Sequence, residues 1–183
     1  MRVAALYRYP LKGFTSEPCE TLTILPNGRP VGDRVLGLRL ATATAADDAW
    51  GTKTSRYQDD ECGFTTLHSR ESVKSVGAAA GQPQIDECRF GSNIAIEGAA
   101  ASDEQHSIGR RIRIGEVEFE AVAAKGRCLA THVNPATRSC DLPVMRMLLR
   151  AFPADRPVFA IALRARGSGG RIRLGETVTV IER

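Results

Sequence analysis

The hexapeptide Arg111-Ile112-Arg113-Ile114-Gly115-Glu116 recurs almost unaltered as Arg171-Ile172-Arg173-Leu174-Gly175-Glu176. Each copy runs on into an alternating stretch, Val117 to Val122 and Thr177 to Ile181. Apolar residues at every second position turn one face of each segment toward a core and leave the arginines on a solvated outer face. A Gly-Glu pair between two such runs is a turn signal, so each copy predicts a strand, a tight turn and a second strand. One repeated pair is too little for a solenoid. Two equivalent hairpins in a closed or partly closed mixed β-barrel account for it.

Working outward, Arg2 to Tyr9 mixes β-branched, aromatic and polar residues as a strand that Pro10 stops. Thr21 to Leu25 alternates with period two, and Pro26-Asn27-Gly28 turns the chain into a strand expected over Val31 to Leu40. From Thr42 to Gly63 the sequence turns polar and loses periodicity, which predicts a long loop with one helical turn near Ala45 to Trp50. Ser69 is placed to cap a helix running to Ala80. Further strands are expected at Asn93 to Ile96, Cys128 to Val133 and Val158 to Arg166. Asp141 is expected to cap a helix over Leu142 to Phe152, with an apolar stripe of Val144, Met145, Leu148, Leu149 and Phe152. The fold class is therefore mainly β (α+β), a single domain over residues 1–183 with a few helices covering the barrel.

Composition bounds the function. A chain of 183 residues with 43% hydrophobic and 25% charged residues matches an ordinary globular protein. Its charge of +4, from 25 basic and 21 acidic residues, is spread along the chain and favours small anions only weakly. No basic stripe or stacking-rich stretch supports nucleic-acid binding. No segment approaches the roughly 20 apolar residues of a membrane span, and no signal peptide is apparent, so a cytoplasmic protein is expected. Cys19, Cys62, Cys88, Cys128 and Cys140 are odd in number and widely spaced, which argues against a disulfide framework or a structural zinc site.

The stretch Lys125-Gly126-Arg127-Cys128-Leu129-Ala130-Thr131-His132-Val133-Asn134-Pro135 carries the chemistry. Neighbouring cations favour a thiolate, which attacks electrophiles and ligates soft metals; a small buried residue opening a strand is the plainer alternative. On a regular strand His132 shares a face with Cys128. At about 3.3 Å per residue, however, the two stand roughly 13 Å apart, too far for direct proton transfer. Serine-hydrolase elbows, zinc-ligand spacings and phosphate-binding glycine loops are absent. There remains a thiol with Lys12, Arg34 and Arg89 as cations to converge on it, a set suited to a large anion carrying a soft metal or a sulfur centre.

The order Tyr9-Pro10-Leu11-Lys12, Gly32-Asp33-Arg34, Arg89-Phe90 with Asn93-Ile94-Ala95-Ile96, and Arg127-Cys128-Leu129-Ala130-Thr131 with Asn134-Pro135 resembles the MOSC proteins, a family named for the carboxy-terminal domain of molybdenum-cofactor sulfurase. The resemblance implies a barrel around a pocket for the molybdenum cofactor (molybdopterin), with Cys128 as metal ligand and catalytic residue. Lys12, Arg34 and Arg89 would hold phosphate or oxo groups, Arg127 belongs to the matched motif, and Asn93 is a weaker pocket candidate. The pattern departs at Gly13, where the family often has serine, at Gly91-Ser92 in place of Arg-Pro, and at Lys125-Gly126 in place of Cys-Thr.

The family's amidoxime-reducing components reduce N-hydroxylated compounds with electrons from a redox partner protein. An oxidoreductase acting on N-hydroxylated or N-oxygenated small molecules is therefore the expected activity. A sulfur or persulfide carrier, a cofactor carrier without redox turnover, and a non-catalytic barrel module are the alternatives. Pyridoxal phosphate binding is associated with the family only at that general level.

Overall fold

A computed structural model describes residues 1–11, 15–36, 63–82 and 84–181. Lys12, Gly13, Cys62, the helical turn expected near Ala45 to Trp50 and the end of the strand expected to reach Leu40 lie outside the described residues.

The described elements, in chain order, begin with β1 (Arg2–Arg8), β2 (Glu17–Cys19), β3 (Thr21–Ile24), β4 (Thr65–Ser69), α1 (Arg70–Ala78) and β5 (Ile94–Glu97). They continue with α2 (Asp103–His106), β6 (Arg111–Ile114), β7 (Val117–Gly126), α3 (Val144–Ala151), β8 (Val158–Arg166), β9 (Gly170–Arg173) and β10 (Val178–Ile181). Two 3-10 turns, Glu87–Phe90 and Leu129–His132, join them. The protein is mainly β. Its large sheet has the order β10-β6-β7-β8-β4-β5-β1-β2, and β3 pairs with β9 apart from it. The sheet is mixed, because β4 and β5 run parallel while the other neighbours are antiparallel.

The expected barrel closure is not formed as a ladder among the described residues. The two flanks meet instead at an isolated bridge between Arg2 and Thr177. There Val3 N donates to the Glu176 carbonyl (2.9 Å) and Val178 N to that of Met1 (2.9 Å).

The repeated hexapeptide has two fates. In the first copy β6 and β7 form the expected hairpin, from Arg111 opposite Glu120 to Ile114 opposite Val117. Gly115 turns it at φ +54°, where an added Cβ would fall 2.0 Å from Glu176 Oε2. In the second copy no hairpin forms. β9 pairs with β3, while β10 crosses to β6 and places Val178 opposite Ile114. The local pattern fixes which side chains point inward, but the available partner edges decide the pairing.

The arginines of β6 and β8 form rows with the glutamates of β7. Arg111 and Arg113 both reach Glu118 (3.1 and 3.4 Å), and Arg166 and Arg164 reach Glu120 (3.2 and 3.9 Å).

Two apolar clusters flank the sheet. Leu6, Ile24, Leu67, Ile94, Ile112, Phe119, Ile161 and Leu163 lie in one, and Val73, Val76, Phe90, Met147, Leu148 and Phe159 join α1 and α3 in the other. β8 serves both, so its Phe159 to Leu163 run is buried throughout. Where β7 and β8 slip register past Ala124, Ala160 takes a left-handed φ of +66°. The α3 stripe is Val144, Met147 and Leu148, with Leu149 exposed. The helix starts at Val144 after Pro143 and is shorter than expected. α1 does begin at Ser69, whose hydroxyl accepts from Glu71 N (3.2 Å).

Glu87 ties three elements together. Its carboxylate accepts from Tyr7 Oη of β1 (2.8 Å) and Arg70 Nη2 of α1 (2.9 Å), and lies 3.4 Å from Nε2 of the buried His68 on β4. Burial by itself raises the carboxyl pKa, but the hydrogen bonds from His68, Arg70 and Tyr7 outweigh it and bring it from 4.5 to about 2. A carboxyl depressed in the folded state stabilises the fold above its unfolded pKa. That contribution is lost as pH falls from about 4.5 towards 2. Urea unfolding should therefore show Glu87→Gln less stable at pH 7 by about 1–2 kcal/mol after discounting for solvent screening. The gap to the parent should close on acidification through that window; a pH-independent gap would exclude this account.

Candidate functional site

The site is assembled by one 3-10 turn. Residues Glu87–Phe90 are followed by Gly91 at φ +59°, and the last carbonyls of such a turn have no partner within it. Phe90 O accepts from Arg127 Nη1 (2.9 Å) and Gly91 O from Arg34 Nη2 (3.0 Å). Consecutive carbonyls thus hold two arginines that lie far apart in the chain.

Arg34 is fixed from behind. Gly32 and Arg34 are both left-handed, at φ +78° and +50°, so the strand expected over Val31 to Leu40 is replaced by turns up to Leu36, which makes one bridge to Leu11. A non-glycine residue in that region costs on the order of 1 kcal/mol and needs outside support. Here it comes from Asp33, whose buried carboxylate accepts from Tyr9 N (2.8 Å) and Asn93 Nδ2 (3.0 Å) and pairs with Arg34 Nη1. The guanidinium also stands 5.2 Å from the Tyr9 ring centre. Asn93 is fully buried behind the wall of the cavity. It accepts from Thr66 N (3.2 Å) and donates to Tyr7 O (3.3 Å) as well as to Asp33.

Arg127 is held by carbonyls alone. Its Nε and Nη2 donate to Phe159 O (2.9 and 2.5 Å), and among the described residues no carboxylate faces it. Desolvation and then the like charge of Arg34 pull its pKa down to about 10, so it stays charged at neutral pH. Two cations gathered without a full set of counter-charges favour an anionic ligand.

Arg89 has a different occupation. Its buried guanidinium donates Nη1 to His132 O (3.1 Å) and Nη2 to Asp141 (2.8 Å), which leaves only Nε without a partner. It therefore latches the Cys128 to Asp141 segment to the turn. Asp141, spent on Arg89 and on Asn134 Nδ2 (2.7 Å), does not cap α3, whose N-cap is Pro143. His132 Nε2 accepts from Met145 N (3.3 Å) in the first turn of that helix.

The strand expected over Cys128 to Val133 is not formed. β7 ends at Gly126, the Arg127 side chain folds back onto Phe90 and Phe159, and Cys128 becomes the N-cap of the turn Leu129–His132. Thr131 stabilises that turn by donating both N (3.1 Å) and Oγ1 (2.9 Å) to the Cys128 carbonyl. The thiol is exposed, unlike that of a core cysteine.

Arg34, Arg89, Arg127 and Cys128 all line an open cavity of about 610 Å³. Cys88, Lys125 and Arg138 line it too. Burial pushes the Cys88 thiol up to about 11, so it remains protonated. Arg138 sits in a turn after Asn134-Pro135, where spacing gave no sign of its role. No cluster of three or more His, Cys, Asp or Glu side chains among the described residues could hold a bare metal ion.

The sequence matches the family description "MOSC domain" over residues 58–179, more than half of the chain and including Arg89, Asn93, Arg127 and Cys128. No curated protein matches the chain. Among solved structures, the YUAD protein from Bacillus subtilis is similar with a TM-score of 0.64 at 19% identity, covering 97% of this chain and 93% of that one. YiiM from Escherichia coli is similar with a TM-score of 0.58 at 12% identity, covering 100% of this chain and 71% of that one. At these identities the structural likeness carries the fold alone. The sequence match, made over the segment that holds the thiol and three of the cavity's arginines, carries more: the chain belongs to the MOSC domain family.

Proposed function

We propose that the protein binds the molybdenum cofactor in this cavity and reduces N-hydroxylated or N-oxygenated small molecules, with the Cys128 thiolate ligating molybdenum. The observation that carries the reading is the exposed thiol sharing one cavity with Arg34 and Arg127. The donor set fits the group. About 610 Å³ lies within the range of roughly 300–1,000 Å³ usual for ligand pockets, and the buried Arg89 Nε has no partner among the described residues.

When bound, the cofactor supplies the redox chemistry, and a redox partner protein would supply the electrons. The chain's own residues bind and orient it. Arg127 and Arg34 offer charge-assisted hydrogen bonds to its anionic groups from positions fixed by Phe90 O and Gly91 O. Arg89 keeps the Cys128 segment in place through Asp141 and the His132 carbonyl. Asn93 acts at one remove, by holding the Asp33 carboxylate that fixes Arg34. Lys12 is a further candidate for the cofactor's anionic groups.

The exposure of Cys128 also supports a second reading, a sulfur carrier that holds a persulfide there. Mass spectrometry after incubation with a cysteine desulfurase separates the two: the carrier gains one sulfur on Cys128, and the oxidoreductase does not need it.

Protein purified from cofactor-producing cells should contain molybdenum and pterin in near-equal amounts. Cys128→Ala should abolish reduction of benzamidoxime while keeping the melting temperature. Metal-free, pterin-free protein from such cells would rule the reading out. Arg127→Lys keeps a charge but loses the three-donor fork, so pterin occupancy after gel filtration should fall about tenfold; full occupancy would remove Arg127 from the binding set.

A further inference from the structure

Arg138 is a cavity-lining arginine that the cofactor reading leaves without a task. It is exposed and holds a left-handed φ of +65°. Among the described residues its guanidinium has no carboxylate or carbonyl partner, whereas Arg34 pairs with Asp33 and Arg89 with Asp141.

Its backbone, by contrast, is heavily constrained. Asn134 Oδ1 accepts from Ala136 N (2.9 Å) and Thr137 N (3.3 Å), and Asn134 O accepts from Arg138 N (2.9 Å). Asn134 N donates to Ser139 O (2.8 Å), and Val133 bridges Cys140. The turn is anchored in turn by Asn134 Nδ2 on Asp141, the carboxylate that Arg89 holds. A strained residue at the tip of a rigid turn, with a free charged end at a cavity, is placed to meet a ligand.

We propose that Arg138 is a specificity-determining residue that selects substrates bearing a carboxylate or similar oxyanion beside Cys128, with the Arg89–Asp141–Asn134 chain as its positioning device. The substrate class rests on the cofactor reading, but the charge selection at the thiol does not. Cys128 and Arg138 line the same cavity, and Arg138 is the exposed arginine among its lining residues, so a small anion at the thiol enters the field of that guanidinium. A neutral isostere does not.

The test compares iodoacetate with iodoacetamide on the full chain produced without the cofactor, following the Cys128 peptide by mass spectrometry. In both reagents the thiolate displaces iodide to form an S–C bond, and only the first carries a carboxylate. Arg138→Gly, which suits the left-handed backbone, should lower the iodoacetate to iodoacetamide rate ratio about fivefold, while Arg138→Lys should retain most of it. In cofactor-loaded protein, the kcat/KM ratio of 4-carboxybenzamidoxime to benzamidoxime should fall by a similar factor with pterin content unchanged. An unchanged alkylation ratio would overturn the assignment, whatever the activity. A loss of pterin in Arg138→Gly would also overturn it, by showing that the side chain holds the cofactor.

Discussion

Everything at the site depends on two neighbouring carbonyls. Phe90 O and Gly91 O, left unpaired by the end of a 3-10 turn, draw Arg127 and Arg34 from distant parts of the chain to one place. Burial and, after it, the like charge of Arg34 resist such an arrangement, and both lower the pKa of Arg127. Asp33 offsets the charge of Arg34, but backbone acceptors alone hold Arg127, so its positive charge remains available to a ligand. Had acids held both arginines, the cavity would be electrostatically quiet.

The architecture serves that turn. Its first residue, Glu87, is bound to β1, β4 and α1, and Phe90 is buried against Phe159 with ring centres 3.8 Å apart. One end of the turn is thus set in a polar cluster and the other in an apolar one. From there Arg89 extends the same rigidity outward, through Asp141 and Asn134, to the segment that bears the thiol. Contacts thus run without a break from the sheet to the segment that bears the thiol.

Strands were the legible part of the sequence. β8 spans Val158–Arg166 as its apolar run predicts, β3 and β6 follow their period-two patterns, and β1 occupies the stretch its residue types and Pro10 mark out. Pairing was not legible, because the two hexapeptides are locally alike and differ only in the edges offered to them. β4 escaped notice since Thr65–Ser69 is buried on both faces and shows no alternation. Around the site, the residue types and their order pointed to Cys128, Arg34, Arg89 and Arg127, which the fold brings to one cavity. The division of labour among them did not show, since Arg89's latch and Asn93's support of Asp33 rest on contacts between residues 52 and 60 positions apart. Nor did the short turn at Cys128, where a threonine hydroxyl three residues on outweighs strand propensity.

The outer face of the sheet carries a consequence for how ligands arrive. Arg111, Arg113, Arg164 and Arg166 alternate with Glu118 and Glu120 at separations of 3.1 to 3.9 Å. The two glutamates offset two of the four arginine charges, and salt screens the remainder beyond about one Debye length, roughly 8 Å at physiological ionic strength. This arginine-rich surface therefore gives little long-range guidance to an anion, and the basic isoelectric point overstates the pull of the protein. Short-range attraction is left to the cavity, where Arg127 is bonded to carbonyl oxygens rather than to a carboxylate.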